Sequence, residues 1–107
     1  MNRLLVSILV VTLVLSLGAC SSPDPKLGQQ KAVVCQGCHG PDGNSTDPQF
    51  PRLAGQHEDY LVRALTDYKS GARRNAIMSG FAASLTDADI ANLAAYFAHQ
   101  KNGVRDK

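Results

Sequence analysis

Several features of β-rich, repetitive or strongly charged proteins are missing from this sequence of 107 residues. No segment shows the sustained alternation of apolar and polar residues that is typical of strands, and there is neither an internal repeat nor a low-complexity tract. The sequence also lacks a large excess of charge of one sign, because its 11 Lys and Arg are nearly balanced by 9 Asp and Glu. This near-neutral balance argues against a nucleic-acid-binding surface. The absences leave a small all-α domain as the predicted fold class.

Metal-ligating residues are equally scarce, and their spacing limits the kinds of site that are possible. The chain has three cysteines and three histidines: Cys20, Cys35, Cys38, His39, His57 and His99. A zinc site would need a second pair of ligands at close spacing, which the sequence lacks. A thioredoxin-like redox pair would need a βαβ pattern around the cysteines, which is also missing. A plain disulfide between Cys35 and Cys38 remains an alternative.

Residues 35–39 read Cys-Gln-Gly-Cys-His, the C-x-x-C-H sequence by which c-type haem is attached. Two intervening residues in a helical turn place both sulfurs at one edge of a porphyrin, and the next residue can then reach its iron. The motif predicts thioether bonds from Cys35 and Cys38, iron coordination by His39, and one covalent haem c with its iron as the cofactor.

The first 19 residues have the pattern of a secretory signal. Arg3 is followed by a long apolar run from Leu4 to Leu17, which is short for a membrane span of about 20 residues. The alternative is an uncleaved transmembrane anchor. The run ends in Leu-Gly-Ala-Cys, which resembles a bacterial lipobox with Cys20 as the lipidated residue. We therefore expect a signal peptide over 1–19, a lipidated tether over 20–27 and the domain over 28–107.

This organisation predicts an exported protein, lipid-anchored on the periplasmic side of a bacterial membrane. Ser21 after the lipobox cysteine resembles lipoproteins sent to the outer membrane. Removal of residues 1–19 would leave 88 residues with ten Lys and Arg and nine Asp and Glu. A chain of this size has a thin core, and a covalently held haem would supply apolar surface that it lacks.

Hydrophobic periodicity predicts three helices. The first covers about residues 28–34 and leads into the haem motif, and the second covers 57–70 and ends at Gly71. The third begins at Thr86, whose hydroxyl can cap the helix while Asp89 caps in return. Residues 40–51 are rich in turn-forming residues and predict a loop that wraps the haem edge.

The sixth iron ligand is predicted by elimination. Met78 is the only methionine after residue 19, and it lies in a segment without periodicity between the second and third helices, 39 residues after His39. We expect this irregular loop to pass over the opposite haem face, since His/Met is a known cytochrome c ligation. His57 and His99 are the alternatives.

Taken together, these motifs resemble a bacterial class I cytochrome c, in particular the cytochrome c4 and c553 group, over about residues 27–100. The resemblance also rests on Pro-Arg-Leu-Ala-Gly-Gln at 51–56, Ser-Gly-Ala-Arg-Arg-Asn before Met78, and Leu-Thr-Asp-Ala-Asp-Ile-Ala-Asn-Leu-Ala-Ala-Tyr-Phe at 85–97. It implies three to five short helices with long loops around one haem. It further implies His39 as the proximal ligand and Met78 as the distal ligand.

Two additional contacts follow from the resemblance. The carbonyl of Pro51 would accept a hydrogen bond from the proximal imidazole. The first and last helices would cross, with Gly28 allowing a close approach near Tyr96 and Phe97.

The sequence departs from this group in two respects. Dihaem members carry a second C-x-x-C-H, whereas this sequence contains one. Relatives often place proline beside the methionine, where this chain has Ala76 and Ser79, so we expect a more mobile Met78 loop.

The resemblance implies a membrane-tethered electron carrier rather than an enzyme. Its partners would be redox proteins such as an oxidase, a reductase or a dehydrogenase, with no small-molecule substrate and no nucleic acid. One alternative is a haem enzyme or a gas or peroxide sensor in which Met78 is displaced, and another is a docking subunit of a larger oxidoreductase. The basic side chains Arg52, Arg73 and Arg74 are either partners of the haem propionates or solvated surface charges.

Overall fold

A computed structural model describes residues 21–106 of the chain. They form five α-helices: α1 Pro25–Lys31, α2 Val33–His39, α3 Glu58–Ser70, α4 Ala76–Ala82 and α5 Asp87–Ala98. Residues 21–106 contain no strand, so the all-α prediction is confirmed over that range. None of these helices is long and apolar enough to cross a membrane. The predicted signal peptide over 1–19 and the lipidation of Cys20 lie outside the described residues.

Helix α5 forms the centre of the core. It begins with the predicted capping box, in which the Thr86 hydroxyl accepts a hydrogen bond from the Asp89 N–H at 3.0 Å. The Asp89 carboxylate accepts one from the Thr86 N–H at the same distance. The buried side chains of α5 are Ile90, Leu93, Ala94, Ala95, Tyr96, Phe97 and Ala98. With most of its surface covered, α5 is the element against which α1 and α3 pack.

Gly28 on α1 lies directly against α5. A side chain at this position would overlap the carbonyl oxygen of Asn92 and approach the Cβ atom of Tyr96 within 2.9 Å. The Asn92 side chain accepts a hydrogen bond from the Asp24 N–H at 2.7 Å, so the start of α1 is also tied to α5. The close approach that the resemblance implied is present, and only glycine permits it.

The first helical region differs from the prediction. Helix α1 begins at Pro25, three residues before the expected start, because the Asp24 side chain caps it by accepting from the Lys26 N–H. Residues 25–27, which the prediction placed in the tether, are therefore part of a helix. A turn at Ala32 separates α1 from α2, so the haem motif occupies a helix of its own.

Helix α3 follows the prediction closely, with His57 at its N-cap and Gly71 in the left-handed conformation at its C-cap. The prediction of an irregular loop around Met78 was wrong, because Met78 lies in α4. The Asn75 side chain accepts a hydrogen bond from the Met78 N–H at 3.0 Å and caps this helix. Seven residues are too few to show a clear hydrophobic period, which is why the sequence pattern did not reveal α4.

Candidate functional site

One cavity of about 460 Å³ lies between α2, α3, α4, α5 and the loop that follows α2. Most of its lining is apolar, with Leu61, Leu65, Leu85 and Phe97 among its walls. Its polar lining is made of histidine, arginine, tyrosine and amide side chains, and no Asp or Glu of residues 21–106 lines it. The cavity therefore suits a large, mostly apolar group.

Both haem-motif cysteines line this cavity from α2. Cys35 and Cys38 are free and partly buried. Burial raises the pKa of the Cys35 thiol above its ordinary value, and the neighbouring Cys38 thiol adds to the effect. A thioredoxin-like pair would lie in a βαβ unit, and the part of the chain that the structure describes, residues 21–106, has no strand. Free thiols side by side at the wall are the arrangement that thioether formation requires.

His39 ends α2 and lines the same cavity, with 6% of its surface exposed. Its Nδ1 lies 2.8 Å from the carbonyl oxygen of Pro51 and donates to it in the corresponding tautomer. The ring of Phe50 meets the imidazole edge-on, with the centroids 6.3 Å apart. With Nδ1 engaged, Nε2 is the nitrogen left to act as an iron ligand. The packing of Phe50 against the imidazole was not anticipated from the sequence.

Met78 also lines the cavity, from α4, and is partly buried. The two alternative ligands, His57 and His99, are exposed and are not among its lining residues. His99 lies beyond the end of α5, where its Nδ1 is 2.7 Å from the carbonyl of Ala95. The structure thus brings Met78 to the cavity that holds His39 and leaves both other histidines outside it.

The three arginines that are candidate partners of the haem propionates lie in different surroundings. Arg52 lines the cavity, but its Nη2 donates to Oδ1 of Asn44 and to the carbonyl of Asn102. Arg73 lines it as well, with its guanidinium 4.8 Å from the centre of the Tyr68 ring and with Nη1 donating to another tyrosine hydroxyl. Arg74 is exposed and does not line the cavity. Of the three, Arg74 is therefore the one that the geometry favours as a solvated charge.

The arrangement fits a covalent haem better than the other sites that the cysteines could form. Within residues 21–106 no group of three or more His, Cys, Asp or Glu side chains is close enough to hold a metal ion, which argues against zinc. Two thiols, one imidazole and one thioether instead surround an apolar cavity whose volume falls in the range of ligand and cofactor sites. A haem c with His/Met ligation requires these groups, two thiols for attachment and an imidazole and a thioether as iron ligands.

Comparisons with known proteins agree with this geometry. A family model described as cytochrome c matches residues 26–101. Cytochrome c4 from Pseudomonas aeruginosa is 51% identical over 104 residues, which cover 97% of the chain and 51% of that relative. A thiosulfate dehydrogenase electron acceptor from Thiomonas intermedia is 42% identical over 72 residues, which cover 66% of the chain and 33% of that protein.

Among solved structures, the crystal structure of reduced recombinant cytochrome c4 from Pseudomonas stutzeri matches with a TM-score of 0.71 and 44% identity. The match covers 74% of this chain and 46% of that one. The chain thus spans about half the length of the cytochrome c4 proteins that it matches.

Proposed function

The chain belongs to the cytochrome c family, as a class I c-type cytochrome of the c4 type with covalently bound haem c, and we propose that it carries electrons through one haem iron held by His39 and Met78. The observation that carries this proposal is the single cavity lined by the C-x-x-C-H helix on one side and by the α4 methionine on another. The haem supplies a reversible one-electron couple between ferrous and ferric iron.

Attachment is assigned to Cys35 and Cys38. Both thiols line the cavity, and their positions on one turn of α2 place them at the same wall. Two thioether bonds would hold the cofactor permanently, so the domain would keep it without relying on the iron ligands alone. Permanent attachment also supplies apolar surface to a small core.

The proximal ligand in this proposal is His39, and Pro51 acts through it. A hydrogen bond from Nδ1 to the Pro51 carbonyl fixes the ring orientation and makes Nε2 a stronger donor. The distal ligand is Met78, whose soft thioether sulfur favours ferrous iron and raises the reduction potential relative to a second histidine. The two ligands therefore act on the potential in opposite directions.

The residues that line the cavity favour electron transfer over catalysis on a bound substrate. A peroxidase would need a positioned general base, but among residues 21–106 the cavity is lined by no Asp or Glu and by no histidine other than His39, the proposed iron ligand. With its iron bound by the His39 imidazole and the Met78 thioether, the haem would offer no free coordination position to a substrate. Arg52 and Arg73 remain beside the cavity as sources of positive charge for the propionates.

Carbon monoxide distinguishes a carrier from a sensor or enzyme. We expect the reduced wild-type protein to keep its absorption spectrum when carbon monoxide is added, because both axial positions are filled. The ferric protein should show the weak far-red band of a thioether–iron bond. Rapid carbon monoxide binding by the wild type would contradict the carrier proposal, and the absence of the far-red band would contradict Met78 as the distal ligand.

Redox proteins are the proposed partners. A relative named as the electron acceptor of thiosulfate dehydrogenase shows that a related chain receives electrons from an enzyme. We extend this to an oxidase, reductase or dehydrogenase as the donor or acceptor of the present chain. The near-neutral surface favours brief, small-area encounters over strong electrostatic steering.

Export and anchoring complete the proposal: residues 1–19 direct the chain to the periplasmic side of a bacterial membrane, Cys20 carries the lipid, and residues 28–107 form the monohaem domain. The support is the apolar run and the lipobox-like Leu-Gly-Ala-Cys at 17–20. Cys20→Ala should leave uncleaved precursor or protein free of the membrane, as fractionation and immunoblotting would show. Mature-sized Cys20→Ala protein that stays with membranes would refute lipidation.

A further inference from the structure

The loop that carries Pro51 has no helix or strand from Gly40 to His57, so its position depends on hydrogen bonds within the loop and to other segments. This matters because the Pro51 carbonyl is the acceptor 2.8 Å from Nδ1 of His39. The segment 101–106, which follows α5, makes four hydrogen bonds to this loop, on both sides of Pro51 in sequence.

Two of these hydrogen bonds involve side chains of the loop. The guanidinium of Arg52, the residue next to Pro51, donates to the carbonyl of Asn102. It also donates to Oδ1 of Asn44, and Nδ2 of Asn44 donates to the carbonyl of Lys101 at 3.0 Å. The side chain adjacent to Pro51 is therefore held by two carbonyls of the segment, one directly and one through Asn44.

The other two hydrogen bonds involve the main chain just after Pro51. The Val104 N–H donates to the carbonyl of Ala54 at 2.9 Å, and Nε of Arg105 donates to the carbonyl of Gly55. Nη2 of Arg105 also donates to the carbonyl of Ala98 at the end of α5, at 3.3 Å. One guanidinium thus joins the loop to the central helix.

Gly103 sets how closely the segment approaches the loop. It is buried, and a side chain there would overlap the carbonyl carbon and oxygen of Ala54. Its N–H donates to Oδ2 of Asp106 at 2.8 Å, which closes the segment on itself. A side chain at this position would therefore force the segment and the loop apart.

We infer that residues 101–106 position the Pro51 carbonyl against His39 and thereby contribute to the reduction potential of the haem. The inference rests on the proposed function, because it takes His39 as an iron ligand. Gly103 and Arg105 are positioning residues that act through Pro51. When the Nδ1–H bond weakens, the imidazole becomes a poorer donor to ferric iron, so the potential rises.

Hydrogen bonds that do not involve residues 101–106 also hold the loop, so we expect displacement of this segment to change the loop only locally. The carbonyl of Gly43 accepts from the N–H groups of Leu53 and Ala54, and the Gly55 N–H donates to the carbonyl of Phe97. These hydrogen bonds do not involve residues 101–106. We therefore expect the domain to stay folded when the segment is displaced.

The first test is Gly103→Ala in the full-length, haem-loaded protein, since this change alters no charge. We expect a higher midpoint potential and about tenfold faster exchange of the His39 Nδ1 proton in the reduced protein, as expected for one weakened hydrogen bond. Nuclear magnetic resonance measures this exchange, and the α5 amide protons serve as an internal reference for global stability.

A second variant keeps the test valid if Gly103→Ala fails to fold. Arg105→Gln removes the link to Gly55 and Ala98, and Arg63→Gln, on the exposed face of α3, removes the same charge without touching the loop. The loss of one positive charge should by itself lower the reduction potential of both arginine variants. Arg105→Gln should therefore have the higher potential of the two, and only it should speed exchange of the His39 proton.

Unchanged potential and unchanged Nδ1 exchange in Gly103→Ala, or equal values for the two arginine variants, would overturn the inference. So would a lower melting temperature without a change in potential, because that result describes a purely structural segment. Failure of the proposed function has its own readout in the wild type. Ferric wild-type protein without iron-shifted His39 resonances would refute the ligand assignment, whatever the variants show.

Discussion

The two sides of the haem cavity are built differently. His39 is 6% exposed, ends a helix that also carries both cysteines, and donates to a loop tied down by residues 101–106. Met78 lies on α4, a seven-residue helix with one side-chain cap, and this helix packs against α3. The proximal side is thus held by many hydrogen bonds, whereas the distal side is held by few.

This difference suggests where the iron site can change. Elements with few buried contacts and exposed backbone hydrogen bonds open most easily. If a ligand is exchanged, we expect it to be Met78, because α4 can move without disturbing α2 or the loop at Pro51.

Replacing both cysteines should remove the covalently held haem, which both sides of the cavity would contact. Cys35→Ala combined with Cys38→Ala should abolish covalent haem, because no thioether can form. Haem staining after denaturing electrophoresis should fall from full intensity to none. Wild-type protein that was made with haem-ligation machinery and yet contained a plain disulfide or zinc would contradict the assignment.

Removing each ligand in turn tests the asymmetry directly. Met78→Ala should keep its haem, lose the far-red band, bind carbon monoxide readily when reduced, and have a lower potential, because the soft ligand is gone. His39→Ala should fail to assemble a normal haem site. Absorption spectra and a redox titration measure both. A Met78→Ala protein whose absorption spectrum, carbon monoxide binding and potential match those of the wild type would show that Met78 is not the distal ligand and would leave His57 and His99 as the candidates.

Two helix caps allow a finer comparison. Asn75→Ala and Thr86→Ala each remove an N-cap hydrogen bond, and each should lower the free energy of unfolding by about 1 kcal/mol. Only Asn75→Ala weakens the helix that carries Met78, so only it should increase the rate of cyanide binding to ferric haem. One kcal/mol corresponds to about a fivefold increase. Equal cyanide rates in the two variants would show that α4 does not control access.

The smallest expected effect is on the pH dependence of stability, and it involves Asp89, which is not part of the haem site. A hydrogen bond from the Thr86 N–H holds the pKa of the Asp89 carboxyl below its ordinary value, helped by the Thr86 hydroxyl and by Lys31 Nζ at 3.4 Å. A lowered pKa means that the charged form stabilises the fold above about pH 4, and that this contribution is lost as pH falls through the folded-state pKa.

Asp89→Asn tests this directly. Its melting temperature should therefore lie below that of the wild type at neutral pH and approach it in acid. The far-red band should be the same in both proteins. A constant difference in melting temperature at every pH would contradict the role of the Asp89 charge.

Local signals predicted much of the fold. The capping box at Thr86 and the left-handed Gly71 were found from the sequence because each depends on residues within one helical turn. The start of α1 and all of α4 were missed. Both begin at a single Asp or Asn cap without a long apolar period behind it, and such residues are equally common in turns.

The candidate site divides in the same way. The covalent motif Cys35, Cys38 and His39 could be recognised because its chemistry requires adjacent residues. Met78 could be nominated by elimination, but the helix that holds it could not. The contacts of Arg52 with Asn44 and Asn102 join residues up to 50 positions apart, and no local pattern encodes such a pairing.

The sequence by itself determined the haem-attachment motif, the all-α class and the capped ends of α3 and α5, because each of these depends on neighbouring residues. Only the tertiary structure decided that Met78 shares a cavity with His39 and that His57 and His99 do not. It also decided that residues 101–106 lie against the loop at Pro51. Such placements depend on which distant segments pack together, and packing is a property of the whole chain.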